Sequence, residues 1–440
     1  MPDVPDRRSA SQRLSASTRR RFLQQTALLA LGTIGMLASR TPPAVAAAKR
    51  RLTMLDWNHF VPIYEEKLRE WGNEFSKANN CEVKIDHIAH RDLYVRLAAE
   101  AETKSGHDIV MLWWTNPQLY AENLIDLDEI GERIGESGGG WYQIARDVNM
   151  QQGHWKAVPL YASTMPQTYR EDLFQEVGEK QPESWEDVLR AGRKLKPKGY
   201  PSGFAFAQTE DSNITLYALL WSFGTSTVDE SGKVTINNPR TKEAIEFARA
   251  MYQDMMTEEV LSWDDASNNR AFLSGKWAWV HNAVSIYAAE PKNAPQLRAV
   301  TGHALTPKGP GGRHGVSIPF NYGIWKFAKN QELAKEFLAY ISAEERLSAA
   351  FEVTETFNNA LLRNFEQHPY WDKDPKLTPI RTYNRDAHMI GWPGPLDRRA
   401  ELARVTWVVP NMFTKAVTGA STDDAMKWGE AELKKIYATA

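Results

Sequence analysis

Cysteine is almost missing from this 440-residue chain, where Cys81 stands alone. That excludes an intrachain disulfide framework and a cysteine-based zinc site, and a small buried hydrophobe is the expected role for Cys81. Catalytic signatures are missing too. There is no Gly-x-Ser-x-Gly, no His-Glu-x-x-His, no phosphate loop and no complete Gly-x-Gly-x-x-Gly. The Pro307–Gly315 loop has glycines but no Gly-Lys-Ser/Thr, and no helix directly follows it. His87-x-x-His90 has a thin metal-like spacing and reads as loop histidines. Asp264-Asp265 invites a glycosidase reading, but such carboxylate pairs come from separated elements that face a cleft, and adjacent acids read as solvated surface. No catalytic residue, cofactor or metal ligand is therefore assigned. Positive charge is not in excess either: 53 Lys and Arg face 55 Asp and Glu. Without a basic stripe, nucleic acid is not an expected partner.

What is present suits a soluble globular protein, with 42% apolar and 25% charged residues. The length exceeds one ordinary core and implies two or more domains. Sixteen tryptophans could serve cores or binding surfaces alike. Residues 1–48 differ in kind. Arg7, Arg8, Arg13, Arg19, Arg20, Arg21 and Arg40 are opposed there by Asp3 and Asp6. A moderately apolar run, Ala27–Ala38, follows, then Thr41-Pro42-Pro43 and the small residues Ala44–Ala48. The run is too short and glycine-broken for a membrane span, and the pattern is that of a cleaved signal. Thr18-Arg19-Arg20-Arg21-Phe22-Leu23-Gln24 resembles the twin-arginine export signal, with Gln24 where lysine is common. The resemblance implies export after folding, with cleavage near residues 46–48. Losing seven arginines and two aspartates moves the formal charge from −2 to −7.

From residue 52 onward, apolar spacing predicts alternating elements. Leu52–Asp56 reads as a buried strand. Pro62 opens a helix with Tyr64, Leu68, Trp71 and Phe75 on one face. Cys81–His87 is a strand, Arg91–Thr103 a helix and Asp108–Trp114 a fully apolar strand. This order predicts a parallel sheet with helices on its faces, and ligands in such sheets sit beyond the strands' carboxyl ends. Residues 154–174 then look like a crossing. Val158–Tyr161 is strand-like, Pro159 and Pro166 punctuate it, and Ala162-Ser163-Thr164 is a small, polar gap. Ser184 and Asp187 predict a capped helix start. Phe204–Ala207 reads as a strand, Thr215–Phe223 as an apolar helix, Asp229–Lys233 as a hairpin-like turn, and Asn238-Pro239 as a helix start. Trp277–His281 is a further strand, Ile318–Phe327 crosses Pro319, and Glu332–Ile341 is an amphipathic helix. Two helices, around 418–422, close the chain.

Several phrases, in this order, resemble family-1 extracellular solute-binding proteins of the maltose-binding type. They are Gly106–Trp114 with Asn123–Leu127; Val158–Phe174 with Ser184-Trp185-Glu186-Asp187; Ala271–Lys276; Gly323–Ile341; and Val409–Gly419. The resemblance spans most of residues 51–440. It implies an α/β periplasmic-binding-protein fold, with two α/β lobes joined by hinge strands and a ligand cleft between them. The expected division is a signal peptide over 1–48, a first lobe from 49–161 and 321–370, and a second from 162–320 and 371–440. The implied protein is a monomeric periplasmic component of an ABC transporter that closes on a small solute and delivers it to a membrane permease.

Aromatic platforms and neutral polar groups suit a carbohydrate or polyol. The candidate contacts beyond the first strands are Trp57, Asn58, His59, Trp113, Trp114 and Asn116. One of Trp113 and Trp114 should be core, since adjacent strand residues point opposite ways, and His59 could equally cap a helix. Ser163 and Thr164 line the floor by analogy. Glu210, Asp211 and Asn213 follow the predicted strand 204–207, where capping a helix is the competing role. His281, Asn282, Tyr322 and Trp392 complete the set. The rival solute is charged: a polyamine would suit Glu210 and Asp211, and a phosphorylated polyol would suit Arg91 or Arg385. The rival class is an exported glycan-acting hydrolase.

Overall fold

The computed structural model describes residues 50–438; the expected signal segment and its cleavage site lie outside the described residues. Twelve strands occur among them. The first are β1 (Arg50–Trp57), β2 (Cys81–Ile88) and β3 (Ile109–Trp113), followed by a short hairpin of β4 (Met150–Gln151) and β5 (His154–Trp155). Then come β6 (Val158–Thr164), β7 (Gln167–Arg170), β8 (Ser202–Gly203), β9 (Trp279–His281), β10 (Thr301–Ala304), β11 (Gly315–Ile324) and β12 (Ala387–His388). The larger sheet runs β12-β11-β3-β1-β2, with β6 also on β11; the smaller runs β10-β7-β9-β8.

The expected parallel arrangement holds for β1 and β3. The larger sheet is nonetheless mixed, because β11 returns from far along the chain and lies antiparallel to both β3 and β6. All ten residues of β11 are buried. Pro319 is accommodated there because Ala162, opposite it, directs its own N–H and C=O to Asn359, so no ladder bond to Pro319 is required. The helix Ile63–Ala78 buries Tyr64, Leu68, Trp71 and Phe75 as its spacing predicts, with Glu65 and Glu66 in its first turn and Lys77 in its last, which complements the helix dipole. The capping box of Ser184 and Asp187 starts helix Trp185–Leu195, and Asn238 caps Pro239–Met255.

One predicted strand is displaced. The strand is Ser202–Gly203, beside β9, whereas 204–207 runs on as non-strand chain with Phe204, Ala205 and Phe206 buried, and the Phe206 N–H donates to Val260. Its apolar character reflects burial, which does not by itself require a ladder.

The chain passes from the larger sheet to the smaller through Met165 and Pro166 alone, and returns through residues 305–314. Tyr383 ties the two connections together. Its hydroxyl lies 3.0 Å from the carbonyl oxygens of both Met165 and Val316 and accepts from Thr306 Oγ1 at 3.1 Å. A Cβ at Gly315 would come within 2.7 Å of that hydroxyl, so the close approach needs glycine. Tyr383→Phe should therefore cost about 1–2 kcal/mol by leaving buried carbonyls unpaired, and Gly315→Ala about 1–3 kcal/mol by overpacking. Urea unfolding of both variants tests this; wild-type stability in both would refute the tie.

Candidate functional site

The carboxyl ends of β1 and β3 carry Trp57 and Trp113, and the pleat of β11 sets Phe320 beside them. Trp57 stacks on Phe320 at 4.8 Å and on Trp113 at 6.2 Å between ring centres, and Phe60 meets Trp57 edge-on at 5.3 Å. Trp57 Nε1 donates to the Tyr161 hydroxyl at 2.9 Å, which locks the indole in place. These rings form one wall of a cavity of about 40 Å³. Ser163, Met165 and Ile318 form the floor, and Glu210, Asp211, Asp265, Asn269, Asn282 and Ser285 face the rings. Phe60, 44% exposed, stands where the aromatic wall meets solvent.

The polar wall is held by a buried ionic cluster. Glu210 and Asp211 open helix Glu210–Ser222, capped by Thr209, whose side chain accepts from the Ser212 N–H. Arg404, 1% exposed, reaches Glu210 and Glu401 with its guanidinium, donates to the Tyr94 hydroxyl at 2.7 Å and lies 4.8 Å over the Trp114 ring. Thr115 Oγ1 donates to Glu401 at 2.9 Å. Asp265 accepts from the Glu210 N–H at 2.8 Å and pairs with Arg91 at 2.9 Å, with His90 Nε2 3.6 Å away. Asp264 faces outward to Arg270. The reading of Asp264-Asp265 as solvated surface is thus corrected: adjacent residues diverge, and Asp265 is drawn inward by two helix N–H groups and a guanidinium. Two buried polar atoms of the lining have no hydrogen-bond partner, Trp113 Nε1 and Glu210 Oε2. Such orphans are costly in a closed protein, and a bound molecule with an acceptor and a donor would relieve them.

Six sequence-chosen residues line this cavity: Trp57, Trp113, Ser163, Glu210, Asp211 and Asn282. The others lie elsewhere. Asn58 is exposed. His59 is buried behind Trp57, where Nδ1 accepts from the Val61 N–H and Nε2 donates to Asn358, and burial pushes its imidazole down to about 3. These bonds brace the turn before helix Ile63–Ala78, whose N-cap is Pro62 without a side-chain cap. Trp114 sits under Arg404, and Asn116 accepts from the Trp113 N–H at 3.3 Å. Thr164 is buried, and Asn213 donates to the Arg404 carbonyl. His281 bonds Thr215 at 2.9 Å and is likewise pushed down to about 3 by burial. Tyr322 donates to Asp56 at 3.1 Å in the layer beneath Trp57. Trp392 stacks on His388 at 3.9 Å in a separate groove of about 920 Å³. That groove is larger, but its polar lining is mostly occupied. Gln118 donates to three backbone carbonyls, Arg385 holds Glu366 and Asp397 caps helix Arg398–Val405. His87 and His90 face different carboxylates, Asp56 and Asp265, so they do not converge.

Phe60, His90, Met165, Ile214, Asp265, Asn269, Ala283, Ser285, Ile318, Phe320 and Phe357 were not chosen from sequence. Phe60 and His90 carried a signal: both follow closely on the carboxyl ends of predicted strands.

Sequence comparison matches residues 62–346 to the family described as bacterial extracellular solute-binding protein. A Deinococcus radiodurans protein described as an ABC transporter-binding protein is 26% identical over 260 residues, 57% of this chain; the chain spans 61% of that relative. Among solved structures, maltose-bound T. maritima MalE3 superposes with a TM-score of 0.74 at 23% identity, covering 88% of this chain and 99% of that one. An Agrobacterium radiobacter solute-binding protein in complex with ribitol gives 0.72 at 18%, covering 88% and 98%. An Arthrobacter chlorophenolicus sugar transporter with bound laminaribiose gives 0.73 at 19%, covering 88% and 99%. At these identities the structures establish the fold, which is the periplasmic-binding-protein fold.

Beneath the aromatic wall, burial pushes Asp56 up to about 6 against the opposing pull of His87. The unfolded carboxyl ionises near its ordinary value, so folding binds a proton between there and pH 6, and stability falls as pH rises through that window. The loss is roughly 3 kcal/mol at about 1.4 kcal/mol per pH unit. His59 and His281 act with the opposite sign. Asp56→Asn should therefore gain stability relative to wild type between pH 4 and pH 7, measured by chemical unfolding at each pH; a pH-independent difference would overturn the assignment.

Proposed function

The chain belongs to the bacterial extracellular solute-binding protein family, and from that premise we propose that it captures a small carbohydrate or polyol and delivers it to the membrane permease of an ABC importer. The observation that carries this reading is the cavity's pairing of flat rings with amides, hydroxyls and carboxylates, together with the unpartnered Trp113 Nε1 and Glu210 Oε2. Rings pack on the C–H faces of a sugar, and the polar wall meets its hydroxyls. The bound molecules of the T. maritima, A. radiobacter and A. chlorophenolicus proteins, maltose, ribitol and laminaribiose, fit the same chemistry.

A small-molecule pocket usually measures about 300–1,000 Å³, far more than the 40 Å³ between these walls. Entry of a solute therefore requires the walls to part. The proposed movement is a hinge at the two connections tied by Tyr383, between a lobe built on the larger sheet and a lobe built on the smaller one. A solute that touches both walls favours closure, which shifts the population toward the closed form. Binding without turnover, a monomeric state, twin-arginine export and a periplasmic location belong to the same proposal. No helix among the described residues is long and apolar enough to cross a membrane.

Thermal unfolding with maltose, laminaribiose, mannitol and ribitol tests the reading. A solute at a hundred times its Kd adds about 2.7 kcal/mol to the native state and raises Tm accordingly. Trp57→Ala or Trp113→Ala should weaken binding about 10- to 100-fold, the loss of one buried aromatic face. Steady hydrolysis of these sugars in place of binding would overturn it.

A further inference from the structure

We infer that the solute of this cavity carries an amine beside its hydroxyls, as an amino sugar or amino polyol, with the ammonium seated between Asp211 and the aromatic wall. The inference rests on the carbohydrate reading of the site and narrows it.

Charge sets the first constraint. Four buried or nearly buried carboxylates gather behind the polar wall: Glu210, Asp211, Asp265 and Glu401. Two guanidinium groups answer them. Arg404 is shared by Glu210 and Glu401, and Arg91 pairs with Asp265. His90, 3.6 Å from Asp265, is spent on a carboxylate that Arg91 already serves. Asp211, 7% exposed, accepts from Asn268 Nδ2 at 2.6 Å and forms no ion pair with any described residue. Burial, and then the neighbouring Asp265, push its carboxyl well above the usual range. Burial thus favours the neutral form of Asp211 unless a cation joins it. A hydroxyl from a neutral sugar can hydrogen-bond the neutral carboxyl, whereas an ammonium also pairs with the ionised one.

The opposite wall fits a cation. The rings of Trp57, Phe60, Trp113 and Phe320 line the same small space, and aromatic faces attract an ammonium most strongly when both are out of water. The unpartnered Trp113 Nε1 and Glu210 Oε2 suit a ligand that both accepts and donates, which a bare alkylamine does not do and an amino sugar does. Asn269 and Asn282 bond each other, Ser285 and the Ala283 N–H, and their remaining amide capacity, with Ser163, is left for further hydroxyls. A phosphorylated sugar would place negative charge against Asp211 with no lining Arg or Lys to receive it.

The test is calorimetric titration of the mature protein with matched pairs: glucose and glucosamine, galactose and galactosamine, glucitol and 1-amino-1-deoxyglucitol. Putrescine and glucose 6-phosphate serve as controls. At least one amino member should bind 10-fold or more tighter than its neutral partner, with a preference that shrinks as salt is raised. Asp211→Asn, which preserves the shape facing Asn268, should bring that ratio to about one; Asp211→Ser is the second variant if the first does not fold. Neutral members that bind as well as or better than their amino partners would overturn the inference and leave the carbohydrate reading standing. Binding of putrescine alone, of glucose 6-phosphate most tightly, or of nothing in the set would overturn both.

Discussion

β11 is hydrogen-bonded to β3 along one edge and to β6 along the other, and the site depends on that double pairing. It fixes Phe320 opposite both Trp113 and Tyr161. Tyr161 in turn accepts the Trp57 indole proton. Trp57, Trp113 and Phe320, far apart in the chain, are thereby locked into one stack, and the stack is the apolar wall of the cavity. The same strand carries Tyr322, whose hydroxyl reaches Asp56 one layer down. A polar floor thus supports the wall from below, and the buried Asp56 is tolerated because Tyr322 and the Trp57 N–H both donate to it.

The other wall is held by charge. Its acids come from helix Glu210–Ser222, from residue 265 and from helix Arg398–Val405, and Arg404 and Arg91 keep them apart. Ionised groups taken out of water are expensive unless paired and hydrogen-bonded. The cluster is mostly satisfied, and its exceptions, Asp211 and Glu210 Oε2, both face the cavity. One wall therefore contributes nonpolar faces with a single indole donor, and the other contributes oriented acceptors. That asymmetry suits a molecule with a flat apolar side and a polar edge, in line with the periplasmic-binding-protein fold that frames it.

Much of this was legible in the amino-acid order. Helix starts at Ser184, Asn238 and Pro62 follow from capping and proline chemistry, and the strands near 52–57, 81–88 and 109–113 follow from apolar runs. Trp57 and Trp113 were found because a parallel strand's carboxyl end is where this fold class places ligand. The signal weakened where neighbours in sequence diverge in space. Trp113 faces the cavity while Trp114, in a left-handed turn conformation, sits under Arg404. Asp265 turns inward while Asp264 does not. Trp392 looked like a platform by composition alone and lies on His388 in another groove.

The sequence by itself determined the family, most of the longer strands and helices, and the residue types beyond the first strands' ends. These depend on period, capping and turn chemistry, which act over a few residues. Tertiary structure decided which of those side chains share a cavity, which carboxylates keep a cation, and that Trp113 Nε1 and Glu210 Oε2 go unpartnered. Those outcomes come from pairings between residues far apart in the chain, such as Trp57 with Tyr161, Trp113 with Phe320 and Glu210 with Arg404. No local pattern encodes them, because each depends on the desolvation that packing imposes.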